Sequence, residues 1–229
     1  MNSSIQRFTA ALFCALFLFA TSALAGPPLI CHAFDIGNAK SLPWISHDWN
    51  LTGSESYDTR NLAADTIAIL NDDPTVLVHM ETLRRATLFA RKDSTTAKQL
   101  LIRLVARAES SANSPAAALA SFDLGYLAET YKQWLGKDEP NFTQGLDGYA
   151  LVNKAIQFCG NDPQMEFAAA LITLKGPAAE HSDHAQKAIA GAKSDPLLAR
   201  NLSKRFWNAQ PETMADMISR TPNVKVPRQ

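Results

Sequence analysis

From Tyr57 onward, apolar residues recur at three- and four-residue steps with few breaks, a period that only helices satisfy. Ala97, Leu100, Leu101, Leu104, Val105 and Ala108 form one such stripe. Ala120, Leu124, Leu127, Tyr131, Trp134 and Leu135 form another, and Val76, Met80, Leu83 and Ala90 a third. Further stripes run through Leu151, Val152, Ala155, Ile156 and Cys159, through Phe167, Ala168, Leu171 and Ile172, and through Ala185, Ala188, Ile189 and Ala192. Leu198, Leu202 and Phe206 follow, and a last short helix is expected from Pro211 with Met214, Met217 and Ile218. The pattern predicts roughly nine helices and no strand. The fold class is all-α, with stacked antiparallel helix pairs behind an irregular N-terminal segment.

Three acid–proline pairs punctuate this region: Asp73-Pro74, Asp162-Pro163 and Asp195-Pro196. Each predicts a helix start, with aspartate accepting from free backbone amides and proline at the first helical position. A weak internal repeat accompanies them. Lys154-Ala155-Ile156 with Asp162-Pro163 recurs as Lys187-Ala188-Ile189 with Asp195-Pro196, at an offset of 33 residues. Small residues at Ala155 and Ala188, each with proline eight positions later, resemble the second helix and closing proline of tetratricopeptide repeats. Leu124-Gly125 resembles the leucine–glycine pair of such a repeat's first helix. The resemblance covers about two units between Asp147 and Phe206 and lacks most of the aromatic positions. It implies stacked helix pairs with a concave surface for a partner, and nothing catalytic.

The N-terminus reads as an export signal. Arg7 precedes an apolar run from Phe8 through Ala20, and Ala23-Leu24-Ala25 offers a small-x-small cleavage site. The run is too short for a membrane anchor, which needs roughly 20 apolar residues. The expected organisation is a signal peptide over 1–25, an irregular segment over 26–56, a helical domain over 57–220 and a tail over 221–229. Leu29 through Trp44 resembles a segment at the mature start of uncharacterised exported bacterial proteins, which favours a periplasmic or secreted setting. In a eukaryotic host, Asn50, Asn141 and Asn201 would each begin a glycosylation sequon. With 22 basic and 22 acidic residues the chain has no electrostatic bias toward nucleic acid or anionic membrane, and no later segment is apolar enough to span one.

Cys14 leaves with the signal. An oxidising compartment then favours a disulfide between the remaining Cys31 and Cys159, tying the irregular segment to the helical body. The alternative leaves both as thiols, with Cys159 a small buried hydrophobe on a helix face. Histidines offer a second chemistry. His181 and His184 stand three apart, on one helical face, and His32 and His47 accompany Cys31. Two imidazoles are too few for a closed metal site, so further ligands would have to come from Asp183, Glu180 or the N-terminal cluster.

No catalytic signature is present: no Gly-x-Ser-x-Gly elbow, no Walker loop, no Gly-x-Gly-x-x-Gly cradle and no His-Glu-x-x-His helix. His79-Met80-Glu81 has half of a deaminase pattern without its cysteine half. Asp35, Asp123 and Glu129 are the carboxylates from which an assembled site could be drawn. Trp44, Trp49, Tyr131 and Trp134 are candidates for a binding surface, although large aromatics more often close a core. The expectation is a non-catalytic, cofactor-free binding or scaffold domain for a protein or peptide, with a metal- or thiol-dependent protein using Cys31 and nearby histidines as the alternative.

Overall fold

The computed structural model describes residues 27–45, 51–52, 54–111, 116–134 and 143–208, with backbone alone from 204. Every regular element among them is helical. A 3₁₀ turn at Thr59–Asn61 leads into α1 (Leu62–Asp72), α2 (Val76–Ala90), α3 (Ser94–Ser111) and α4 (Ala117–Trp134). Then come α5 (Gly148–Phe158), α6 (Pro163–Ile172), a second 3₁₀ turn at Thr173–Lys175, α7 (Ala178–Gly191) and α8 (Pro196–Asn208). No helix among the described residues is long and apolar enough to cross a membrane. The expected signal peptide, Trp49, His47 and the helix from Pro211 lie outside the described residues.

Two acid–proline starts form as expected. Asp162 accepts from the Gln164 and Met165 amides with Pro163 at the first helical position, and Asp195 accepts from the Leu198 amide at 2.9 Å. The third does not. The Asp73 amide closes α1 on Ile69, its carboxylate accepts from Thr75, and Thr75 is the residue from which α2 starts. Here the acid–proline pair is a joint between two helices, turned by an Asx contact that keeps proline out of the helix. Two caps were not foreseen, at Asp93 before α3 and Asp147 before α5. The end of α5 is a left-handed turn: Gly160 and Asn161 have φ of 68° and 65°, and the Asn161 amide reaches back to Ile156.

Burial organises the rest. The apolar stripe of α2 predicts one buried face, yet Val76 to Ala90 is buried at every residue except Arg85. The helix is central, with α1, α3, α4 and α6 all packed against it. Its polar residues therefore need internal partners, and they find them. His79 meets Asp123 of α4, whose other oxygen holds Arg107 of α3. Arg107 also donates to Asn71 and to the Leu70 carbonyl, so one network, buried at His79 and Asp123, joins four helices. Both His79 nitrogens face acceptors, the Asp123 carboxylate and the Asp73 carbonyl, so both carry protons and the ring is cationic. Burial opposes that charge, but Asp123 outweighs it and holds the His79 pKa above its usual range.

The irregular N-terminal segment belongs to this core. Leu29, Ile30, Phe34 and Leu42 are buried in the same hydrophobic cluster as the helices. Glu81, at 0% exposure, accepts from the Phe34 amide at 2.8 Å and pairs with Arg84 and Arg85. Arg84 in turn donates to the Ile30 carbonyl and Arg85 to the Leu42 carbonyl. Asn201 of α8 makes a two-way clasp with the Asp35 backbone, accepting from its amide and donating to its carbonyl, both at 2.8 Å. That clasp and 2% exposure place the Asn201 side chain inside the protein, away from any modifying enzyme.

The expected disulfide is corrected. Cys31 and Cys159 are not joined: Cys31 sits in the turn near Arg84, whereas Cys159 ends α5, is solvent-exposed and has Asp162 as its charged neighbour. Hydrogen bonds with Glu81, Arg84, Arg85 and Asn201, and the apolar contacts around them, hold the segment instead.

The two helix pairs in most extensive contact are α4 with α5 and α6 with α7. The first is set by paired glycines. A Cβ at Gly125 would lie 2.5 Å from the Gly148 carbonyl oxygen, and one at Gly148 would lie 2.5 Å from that of Gly125. This backbone approach puts the first turn of α5 against Glu129, which accepts from the Tyr149 amide at 3.1 Å.

Candidate functional site

An open cleft of about 490 Å³ lies between α5 and α7. Tyr149, Asn153 and Gln157 recur at four-residue steps on α5 and line one wall. Glu180, Asp183, His184 and Lys187 recur at three- and four-residue steps on α7 and line the other. The first turn of α5 is fixed by the Gly125–Gly148 contact, and its last turn by the left-handed pair at Gly160 and Asn161.

Behind the α7 wall lies Glu166, a carboxylate at 0% exposure in the otherwise apolar Met165–Leu171 stretch of α6. Its Oε2 faces His184 Nδ1 at 2.5 Å, and His184 Nε2 lies 2.8 Å from the Tyr149 hydroxyl. A carboxylate accepts only, so His184 Nδ1 carries a proton and donates it to Glu166. The Tyr149 hydroxyl also has the Asn153 amide and the Glu180 carboxylate as hydrogen-bond partners, so groups from both walls of the cleft meet at the phenol. The edge-on packing of the two rings, with centroids 5.8 Å apart, fixes the phenol's direction.

The order carboxylate, imidazole, hydroxyl is that of a nucleophile relay. Its electrostatics oppose that use. Burial and the nearby Glu180 and Glu166 charges hold the Tyr149 phenol above its usual pKa, so the phenolate is disfavoured. Lys187 reaches Asp183 at 2.8 Å and Glu166 Oε1 at 3.5 Å, and its hydrogen bond to Asp183 leads the causes that raise its pKa. What the arrangement does is orient a phenol oxygen, two amide side chains and two exposed carboxylates toward a common space.

The predicted site residues fall in different places. His184 belongs to the cleft, whereas His181 turns its Nδ1 to the Ala170 carbonyl, and His32 is exposed on the N-terminal segment. No group of three or more metal-ligating side chains occurs among the described residues. Trp44 packs edge-on against Phe89 with Arg84 over its ring. Tyr131 is buried with its hydroxyl on the Ala97 carbonyl, and Trp134 stacks under Arg91 at 4.2 Å beside a small cavity of about 150 Å³. Asp35, Asp123 and Glu129 do not converge; each has its own cation, in Arg200, Arg107 and Lys132.

Sequence reasoning missed Tyr149 and Glu166. Glu166 had a signal, as the one charge in an apolar helix. Tyr149 had none, lying 35 residues from its histidine. No protein-family model, curated protein or solved structure matches the chain.

Proposed function

We propose that this is an exported, non-catalytic helical binding domain, and that the cleft between α5 and α7 receives a protein or peptide partner. The observation that carries the reading is Tyr149. A buried Glu166–His184 pair holds its hydroxyl in one direction at the wall of an open cleft, and such pre-organisation lowers the entropy cost of binding. Asn153 and Gln157 beside it supply paired donors and acceptors of the kind that match a peptide backbone. Stacked helix pairs resembling tetratricopeptide units belong to the same proposal, supported by the close packing of α4 on α5 and of α6 on α7. Export rests on the signal read over Met1–Ala25.

The test is site-specific photocrosslinking in the exported fraction of the native host. A crosslinker at Gln157 is expected to capture one defined partner, with capture lost in Tyr149→Phe. A crosslinker at exposed Lys98 on α3 should capture none. Equal capture from both positions, or capture indifferent to Tyr149→Phe, contradicts the proposal.

A further inference from the structure

Around the cleft, three carboxylates stand against one ammonium. Glu180 and Asp183 line it, Glu166 lies directly behind, and Lys187 is the single lysine on the wall. Lys187 is already engaged by both Asp183 and Glu166, so its charge is spent inside the protein. A fully buried carboxylate is screened far less than an exposed one, so Glu166 contributes to the cleft beyond its share of the surface. Its Oε1 is buried and accepts no hydrogen bond, with the Lys187 ammonium at 3.5 Å as its cation. That oxygen is under-satisfied on the side where the cleft wall begins. The Tyr149 hydroxyl, in contact with His184, Asn153 and Glu180, adds a polar group to the same space. Ile156 and Ala179 add apolar surface at the sides.

A ligand that suits this environment brings positive charge, donates hydrogen bonds and has an alkyl stem. We infer that the cleft is specific for an alkyl-ammonium or guanidinium group, presented as a lysine or arginine side chain of the partner. The inference rests on the binding role proposed above and adds the chemistry of the group that enters. The cation docks between Glu180 and Asp183, beside the Tyr149 hydroxyl, and lays its stem on Ile156. A free polyamine shares this chemistry, so the test separates the two sources.

The test is an NMR titration of the isotope-labelled full chain with three probes. They are an acetyl-Gly-Lys-Gly-amide tripeptide, the same peptide with norleucine in place of lysine, and spermidine. Norleucine keeps the stem and removes the ammonium. The lysine peptide is expected to shift the amides of Tyr149, Asn153, Glu180 and Asp183 and to bind at least about tenfold more tightly than the norleucine peptide, a difference of about 1.4 kcal/mol. The double variant Glu180→Gln, Asp183→Asn should remove that preference; both positions are exposed, so the fold is retained. Shifts at the cleft with spermidine and not with the lysine peptide would keep the cation specificity and reassign its source to a free polyamine. Equal binding of the two peptides overturns the cation specificity and leaves the binding role standing. Shifts elsewhere, or with none of the probes, overturn the cation specificity; the crosslinking result then decides the binding role by itself.

Discussion

Replacing Gly125 by alanine sets two effects against each other. Alanine in a helix interior is favoured over glycine by about 1 kcal/mol, so propensity alone predicts a more stable protein. The new Cβ, however, would lie 2.5 Å from the Gly148 carbonyl oxygen, 2.9 Å from Leu151 Cβ and 3.1 Å from Val152 Cγ2. The first of these falls about 0.9 Å short of ordinary contact, and its partner is backbone, which cannot rotate away. The helices α4 and α5 must separate. Overpacking of this kind costs about 1–3 kcal/mol, and three simultaneous close contacts put it at the upper end. The net expectation is a loss of about 2 kcal/mol, which for a domain of this size lowers Tm by about 4–8 °C. Thermal unfolding followed by circular dichroism at matched pH and protein concentration measures it. A Tm equal to or above that of the parent protein would show that the glycines do not set the approach of these helices. The account of how Tyr149 is positioned would then lose its base.

Four further outcomes follow from the buried polar groups. Glu81→Ala leaves the buried Arg84 guanidinium without its carboxylate, and urea unfolding should show a loss of about 3–5 kcal/mol, with proteolysis opening first in residues 29–42. Asn201→Ala removes three hydrogen bonds to the Asp35 backbone and Leu197 carbonyl, for a loss of about 1–3 kcal/mol by the same measurement. His79 has a raised pKa in the folded state, so its contribution is complete below its unfolded pKa of about 6.5 and fades as pH rises through the folded value. The stability difference between the parent protein and His79→Gln should therefore shrink as pH rises above about 6.5; a constant difference would refute the cationic assignment. In Glu166→Gln the side chain loses the charge that fixes the His184 proton, and the downfield His184 Nδ1–H resonance should disappear or move while thermal unfolding stays cooperative.

Helical identity was legible because period and capping agree: Asp162 and Asp195 start helices for the same reason that Phe167 and Leu198 are buried in them. The central position of α2 was not legible. Its sequence carries His79, Glu81, Arg84 and Arg85 among apolar residues, which resembles a helix with a solvated face. Only the long-range partners, Asp123 on one side and the Phe34 amide and Ile30 carbonyl on the other, make those charges internal. The N-terminal segment was misjudged for a related reason. With no periodicity it looked in need of a disulfide, yet its carbonyls and amides are satisfied by side chains from α2 and α8. At the cleft, the histidine pair drew notice by spacing, but spacing does not reveal that His181 and His184 serve different partners. The carboxylate and phenol that give His184 its role come from two other helices, 18 and 35 residues away.

We propose that a partner binds at the Glu166–His184–Tyr149 wall of the α5–α7 cleft. The most direct measurement is the photocrosslink from Gln157 compared in the parent protein and in Tyr149→Phe, a change that removes one oxygen from the cleft wall. One captured partner is expected, with a yield that falls about two- to tenfold in the variant, the size of one lost neutral hydrogen bond. An undiminished yield in Tyr149→Phe, with the variant's Tm unchanged, would contradict it.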